Sequence, residues 1–292
     1  MKFLTYINNK IPLKQNENFT LIIGKSPSLG ARSPILWNKV YNKINSPIRM
    51  YPVDCDISQL PLILKDLEKN QNFIGGCITN PYKETLFKYL NNKIDKDSKK
   101  IGAINCLYRN KKQLFGLNTD GLGAIYSLEK KFKLLKNKSF MLFGTGGTAK
   151  TIASYIQKYI SNNKNLLIVG RDRKKLEDFK KVFGCAVSDY FNVSNKLQKY
   201  DYIINCTSLG AFPNENASPL NEEYFHLINP ETRIFDVIYN PKNTKFLRCA
   251  KKFKLNYLNG LEMNLEQAVK AFIKTNNINS SMENKIRTIM KS

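Results

Sequence analysis

The segment Phe140-Met-Leu-Phe-Gly-Thr-Gly-Gly-Thr-Ala-Lys-Thr151 decides how this chain folds. Four apolar residues, 140–143, predict a buried parallel strand. After the glycines, apolar residues recur at helical spacing at Ile152, Tyr155, Ile156 and Tyr159. A glycine turn between a strand and a helix is typical of a dinucleotide site: Gly144 would make the tight turn and Gly146 would admit the pyrophosphate. By itself, the turn fits a structural loop equally well.

The next predicted strand, 165–169, is followed by Gly170-Arg-Asp-Arg-Lys-Lys175. An NAD site usually has Asp or Glu at this strand end, to bind the ribose 2′-hydroxyl. Here the position is Gly170, and the cations after it suit a 2′-phosphate. The pattern therefore favours NADP over NAD, although Asp172 points the other way and a solvated turn is the alternative.

Length and composition describe a globular chain of 292 residues with 42% hydrophobic residues, enough for one large or two ordinary domains. The sequence contains no run of 18 apolar residues, so no membrane helix is predicted. The first ten residues do not resemble a signal peptide. Alternating strand and helix patterns predict an α/β fold with mostly parallel strands. Residues 93–100 are predicted to be a charged loop, and residues 276–292 a polar, weakly helical tail.

The six cysteines have no metal-ligand spacing, and several lie in apolar runs. They indicate a reducing, cytoplasmic setting and predict no metal site. The only histidine, His226, is expected to be partly buried and structural, so Ser-His-Asp triads and histidine zinc sites are nearly excluded.

A formal charge of +24 raises the possibility of nucleic-acid binding. Only eight of the 47 basic residues are Arg, however, and the lysines are scattered among many asparagines. A general Lys/Asn bias explains the charge better than a phosphate-backbone clamp does, because clamps favour clustered Arg. We therefore expect no specific nucleic-acid partner and no membrane partner.

The first half contains three polar groups between apolar runs: Thr79-Asn-Pro-Tyr-Lys83, Gly102-Ala-Ile-Asn105 and Asn118-Thr-Asp-Gly121. Together with Ser33-Pro34, the glycine turn, Asn205 to Gly210, Asp236 to Pro241 and Asn259 to Gln267, they resemble the shikimate dehydrogenase family in order and spacing. The resemblance covers residues 21–272.

The resemblance implies two domains: an α/β substrate domain, residues 1–119 completed by 260–292, and a Rossmann-like doubly wound NADP-binding domain, residues 120–259. The family reduces 3-dehydroshikimate to shikimate with NADPH, and its pattern makes Lys83 the acid-base residue and Asp120 its partner. The implied substrate residues are Ser33, Thr79, Asn105, Asp120, Tyr239 and Gln267. The implied cofactor residues are Gly144, Thr145, Gly146, Gly147, Thr148, Arg171, Lys175, Val237, Gly260 and Met263. A monomer or a homodimer is expected.

Three positions depart from the family pattern. Ala31 replaces a Ser that binds the substrate carboxylate, Trp37 replaces a His, and Cys77 replaces an Asn. Arg32 is a candidate replacement for the lost serine, and the alternative is that it is an exposed surface residue. The departures leave open a quinate or related cyclitol-acid dehydrogenase, and a non-catalytic ligand sensor of the same fold is a further alternative.

Overall fold

The structure, a computed structural model, describes residues 1–292 apart from the side chain of Asp97. Its strands are β1 (Phe19–Gly24), β2 (Arg49–Asp54), β3 (Phe73–Ile78), β4 (Cys106–Asn110), β5 (Gln113–Leu117), β6 (Phe140–Phe143), β7 (Leu166–Val169), β8 (Ala186–Ser188), β9 (Tyr202–Asn205), β10 (Arg233–Asp236) and β11 (Asn256–Leu258). Its α-helices are α1 (Ser33–Lys43), α2 (Leu60–Lys69), α3 (Lys83–Leu90), α4 (Lys96–Ile101), α5 (Asp120–Phe132), α6 (Gly147–Ile156), α7 (Arg173–Phe183), α8 (Lys245–Lys252), α9 (Leu261–Thr275) and α10 (Glu283–Lys291).

The chain divides into two compact units, Met1–Thr119 with Leu265–Ser292 and Asp120–Asn264. The chain passes between them twice, once between Thr119 and Asp120 and once inside α9. No helix in the described part of the chain has both the length and the hydropathy needed to cross a bilayer.

The first unit is built on a five-stranded sheet in the order β2-β1-β3-β4-β5. The first three strands are parallel, as the alternation of strands and helices predicts. Strand β4 is antiparallel to both of its neighbours, β3 and β5, and a short hairpin turn joins it to β5. All six residues of β1 are buried, because apolar clusters cover both faces of the sheet.

The C-terminal helices α9 and α10 complete this unit. Val269 and Phe272 of α9 share an apolar cluster with Trp37 and Tyr41 of α1, and the Trp37 and Phe272 rings meet edge to face with centroids 5.2 Å apart.

Two sequence expectations about this unit need correction. The tail contains a regular helix, α10, that buries Ile286 and Met290, and the charged segment 93–100 contains the start of α4.

The second unit is a fully parallel sheet in the order β11-β10-β9-β6-β7-β8. The chain order reverses between β6 and β9, which is the switch point where doubly wound sheets bind ligands at the carboxyl ends of their strands. The predicted strands at 140–143, 165–169, 201–205 and 233–238 all form, although β8, β11 and α8 were not anticipated. His226 lies in a short 3₁₀ segment and is exposed rather than partly buried.

Candidate active site

A buried cluster of polar side chains lies in the first unit, formed by Asn105, Thr119 and Gln267. The Asn105 amide nitrogen donates to the Thr119 hydroxyl at 3.0 Å and to the Gln267 side-chain oxygen at 3.2 Å. In return, the Thr119 backbone N–H donates to Asn105 Oδ1 at 2.7 Å, and its hydroxyl donates to the Gln267 carbonyl at 3.1 Å. Residues 162 positions apart are thereby held in one network.

Two of these three residues, Asn105 and Gln267, are predicted substrate residues. The network fixes the direction of both amides, because the Gln267 oxygen faces Asn105 and its NH₂ end must point away from it. The third member, Thr119, is completely buried and was not singled out from the sequence. The signal that could have identified it is its place in the motif Asn118 to Gly121, directly before Asp120.

Lys83 and Thr79 lie on either side of the turn that leads from β3 into α3. Lys83 is the first residue of α3, and its carbonyl accepts the Ile104 N–H at 2.9 Å. The neighbouring residue, Asn105, accepts the Ile78 N–H at 2.8 Å, just before Thr79. The backbones of Lys83 and Asn105 are therefore joined through two neighbouring hydrogen bonds, and Thr79 is the residue after Ile78. The side chains of Lys83 and Thr79 are half-buried.

Asp120 opens α5 and is the first residue of the second unit. Its side chain is only 6% exposed. The two residues before it are fixed in the first unit, because the Asn118 backbone N–H donates to the Ser98 hydroxyl oxygen at 2.7 Å and Thr119 belongs to the amide network. The entry of the chain into α5 is therefore well anchored.

The segment before α1 contains the altered family motif. Ser33 is the first residue of α1 and is 5% exposed, whereas Arg32 precedes it and is half-buried. The Ala31 methyl packs against the apolar cluster that contains both Trp37 and Cys77. Two polar family positions have therefore become part of an apolar core. The indole N–H of Trp37 has no hydrogen-bond partner among the described residues.

The glycine turn of the second unit lies between β6 and α6. Gly144 has φ +113°, a conformation that favours glycine, and an added Cβ would stand 3.1 Å from the Cys206 backbone. Gly146 caps α6, no side chain bonds to that end of the helix, and an added Cβ there would meet nothing within 4 Å. The Cβ side of Gly146 at the N-terminus of α6 is therefore open. This arrangement fits the pyrophosphate of a dinucleotide.

The end of β7 accounts for the two conflicting residues of the sequence pattern. A Cβ at Gly170 would lie 2.6 Å from the Thr145 side chain, so an acidic residue could not stand there without a shift. Asp172 is the N-cap of α7 and accepts the Lys175 backbone N–H at 3.1 Å. Its carboxylate is thus used in capping the helix. Arg171 and Lys175 are exposed beside it.

Three predicted cofactor residues lie where the loop after β10 meets the start of α9. The Gly260 N–H donates to the Ile238 carbonyl at 3.0 Å, and a Cβ at Gly260 would lie 2.0 Å from the Val237 oxygen. Only glycine permits this close approach of the two backbones. Met263 follows in the first turn of α9 and is 7% exposed. Tyr239, on the same loop, is half-buried.

Asp236, the last residue of β10, holds this loop. It is completely buried and accepts the Thr244 hydroxyl at 2.6 Å, the Asn205 amide at 3.0 Å and the Ile238 N–H at 3.1 Å. Burial raises the pKa of Asp236 to about 6, although these three donors oppose the rise. The carboxylate therefore joins the ends of β9 and β10 to the start of α8.

Family models match both halves of the chain. The model described as shikimate dehydrogenase substrate binding domain matches residues 22–107, and the model described as shikimate / quinate 5-dehydrogenase matches residues 127–222.

Individual relatives agree over most of their length. A shikimate dehydrogenase (NADP(+)) of Clostridium botulinum is 34% identical over 256 residues, covering 86% of this chain and 94% of that protein. One of Methanococcus vannielii is 32% identical over 251 residues, covering 82% and 85%. A crystal structure of a shikimate dehydrogenase in complex with NADP⁺ superimposes with a TM-score of 0.81, at 25% identity and 96% coverage of both chains.

Proposed function

Because this chain belongs to the shikimate dehydrogenase family, we propose that it catalyses the reversible, NADP-dependent reduction of 3-dehydroshikimate to shikimate. The reaction belongs to chorismate and aromatic amino acid biosynthesis. One observation carries the proposal: the network of Asn105, Thr119 and Gln267 forms in the unit that matches the family's substrate-binding domain. A ring bearing several hydroxyls requires uncharged hydrogen-bonding groups of this kind.

NADPH supplies the hydride in this reaction. Residues of the second unit would hold the cofactor: Gly144, Thr145, Gly146, Gly147 and Thr148 its pyrophosphate, Arg171 and Lys175 its 2′-phosphate, and Val237, Gly260 and Met263 the nicotinamide side. The lack of an acidic residue at position 170 supports NADP over NAD, since that position offers no carboxylate to a ribose 2′-hydroxyl, and one oxygen of Asp172 is already used to cap α7.

The chemistry is assigned to Lys83 and Asp120. As a ketone receives hydride, negative charge develops on its oxygen, and the Lys83 ammonium would protonate that oxygen. Asp120 is assigned as the carboxylate that orients the ammonium and holds a substrate hydroxyl. The Lys83 backbone is anchored by its bond to Ile104, and the chain just before Asp120 is anchored at Asn118 and Thr119. This supports the assignment, because an acid-base pair needs fixed geometry.

The remaining substrate contacts are assigned to Ser33, Thr79, Asn105, Tyr239 and Gln267. Ser33 would donate to the substrate carboxylate, and the other side chains would bind the ring hydroxyls. The altered residue Ala31 makes quinate or a related cyclitol acid the second candidate substrate, and the matching family includes quinate dehydrogenases by its description. The six cysteines are all buried and form no disulfide, which supports a cytoplasmic location.

A spectrophotometric assay tests the proposal directly. Purified protein is mixed with shikimate or quinate and with NADP⁺ or NAD⁺, and the appearance of reduced nicotinamide is followed. We expect the highest kcat/KM with shikimate and NADP⁺. Binding of shikimate without turnover under any of these conditions would instead support the ligand-sensing alternative.

The role of Lys83 is tested by Lys83→Ala. We expect kcat to fall at least a hundredfold, the usual contribution of a general acid-base group, because no other proton donor is assigned to the ketone oxygen. The matched control is Lys88→Ala, which removes an exposed lysine from the same helix, α3, and should leave kcat unchanged. Near-normal turnover in the Lys83 variant would exclude this residue from the mechanism.

A further inference from the structure

Three parallel strands of the second unit end side by side. Phe143 pairs with Val169, and Val169 pairs with Ser188, so β6, β7 and β8 stop at the same edge of the sheet. The Gly170 N–H donates to the Ser188 carbonyl at 3.1 Å. The last residue of β8 therefore lies directly beside the position that precedes Arg171.

A lysine from a later segment reaches this point. Lys196 lies in a 3₁₀ segment, Ser194–Lys199, and its ammonium donates to the Ser188 hydroxyl at 2.9 Å. Ser188 is 7% exposed and its hydroxyl proton is directed to the Asp189 carbonyl at 3.1 Å, so the hydroxyl oxygen holds the ammonium in a defined place. The lysine side chain is half-buried.

The ammonium has no counter-ion among the described residues: no carboxylate oxygen lies within 4 Å of it. Asp189, which follows Ser188 in the chain, accepts both the N–H and the side-chain amide of Asn192 on its Oδ1, and Asp172, which follows Arg171, caps α7. A half-buried cation with two further N–H donors and no neutralising partner is suited to binding an anion.

Arg171 directly follows Gly170, the residue that bonds to Ser188. The loop after β8 carries Tyr190, whose ring stacks on Phe143 with centroids 5.8 Å apart. Burial raises the pKa of Tyr190, and the charge of Arg171 opposes that rise. Lys196 and Arg171 are thus both tied to the carboxyl edge of β7 and β8.

We propose that Lys196 is an additional ligand of the ribose 2′-phosphate of NADP and that it acts together with Arg171. The inference rests on the proposed cofactor, and it assigns to the edge strand β8 a part in selecting NADP. The Ser188 hydroxyl positions the ammonium, and the phosphate supplies the negative charge that the protein does not.

The experiment measures binding of 2′,5′-ADP and of 5′-ADP by isothermal titration calorimetry to the full-length protein and to Lys196→Met. The variant should bind 2′,5′-ADP about ten- to a hundredfold more weakly, the usual range for a charge-assisted hydrogen bond, and 5′-ADP with unchanged affinity. Lys196→Arg should restore most of the loss. Arg171→Ala should show the same selectivity, while Lys199→Met, a basic residue of the same segment, should show none.

The inference would be overturned if Lys196→Met weakened the binding of both nucleotides equally, or the binding of neither. A loss of thermal stability with no change in the ratio of the two affinities would also overturn it. These outcomes are independent of the reaction, because binding requires no turnover. If 2′,5′-ADP binding depends on Lys196 but shikimate is not oxidised, the proposed function fails while the phosphate site stands.

Discussion

At the scale of single residues, the segment Ala31-Arg32-Ser33 determines how the substrate carboxylate would be held. The Ala31 methyl faces an apolar cluster, Ser33 is buried, and Arg32 is half-buried between them. We predict that Arg32→Ala raises the KM for shikimate at least tenfold, because a guanidinium can grip a carboxylate with two hydrogen bonds. Ala31→Ser should change the KM little, since its hydroxyl would face the cluster. Steady-state kinetics of the two variants measure both effects.

The conservative variant Arg32→Lys serves as the comparison, because it keeps the charge and loses the paired geometry. An Arg32→Ala variant with normal KM, combined with a lower KM in Ala31→Ser, would show that the missing serine is not replaced and that Arg32 is a surface residue. Kinetics unaffected by either substitution would place the carboxylate elsewhere.

At the scale of elements, helix α10 is held to α9 by a buried ion pair. Arg287 contacts both oxygens of Glu266, at 2.6 and 2.9 Å, and Glu266 is 1% exposed. We predict that Arg287→Ala lowers the free energy of unfolding by about 3–5 kcal/mol, because it leaves an uncompensated buried carboxylate. The single tryptophan, Trp37, is buried in the same unit, so its fluorescence during chemical denaturation reports the change.

Lys270→Ala is the matched control. This variant removes the ammonium that lies 2.7 Å from the Glu283 carboxylate. The Lys270 side chain is 36% exposed, and exposed ion pairs of this kind contribute about 1 kcal/mol or less. The double variant Glu266→Gln with Arg287→Met should recover much of the stability, since it removes both buried charges. An Arg287→Ala effect no larger than that of Lys270→Ala would show that α10 contributes little to the unit.

At the scale of the whole molecule, the net charge of +24 has to be reconciled with a small-molecule enzyme. The lysines are spread over both units, and some are paired, as Lys93 is with Glu68 and Lys138 with Asp201. We predict that binding to duplex DNA is weak and is lost between about 50 and 200 mM salt, because it depends on counterion release alone. Fluorescence anisotropy with two unrelated duplexes measures it. Tight binding to only one duplex at the higher salt concentration would contradict the prediction.

The sequence by itself determined the arrangement of the second unit around its glycine turn. The strand at 140–143, the glycines after it and the helical spacing that follows are local patterns, and the structure confirms them as β6, the turn and α6. Motifs separated along the chain also indicated the family before any contact was known, because their order survives without three-dimensional information.

Only the tertiary structure decided the role of residues whose partners are distant in sequence. Asp172 looked like a ribose ligand until its carboxylate was found capping α7, and β8 was missed because three residues carry too little periodicity to identify a strand. Thr119 bonds to Gln267 across 148 positions, and Ser188 bonds to both Lys196 and Gly170. Side-chain hydrogen bonds of this kind depend on where the packed sheets bring the chain together, and no local pattern encodes that.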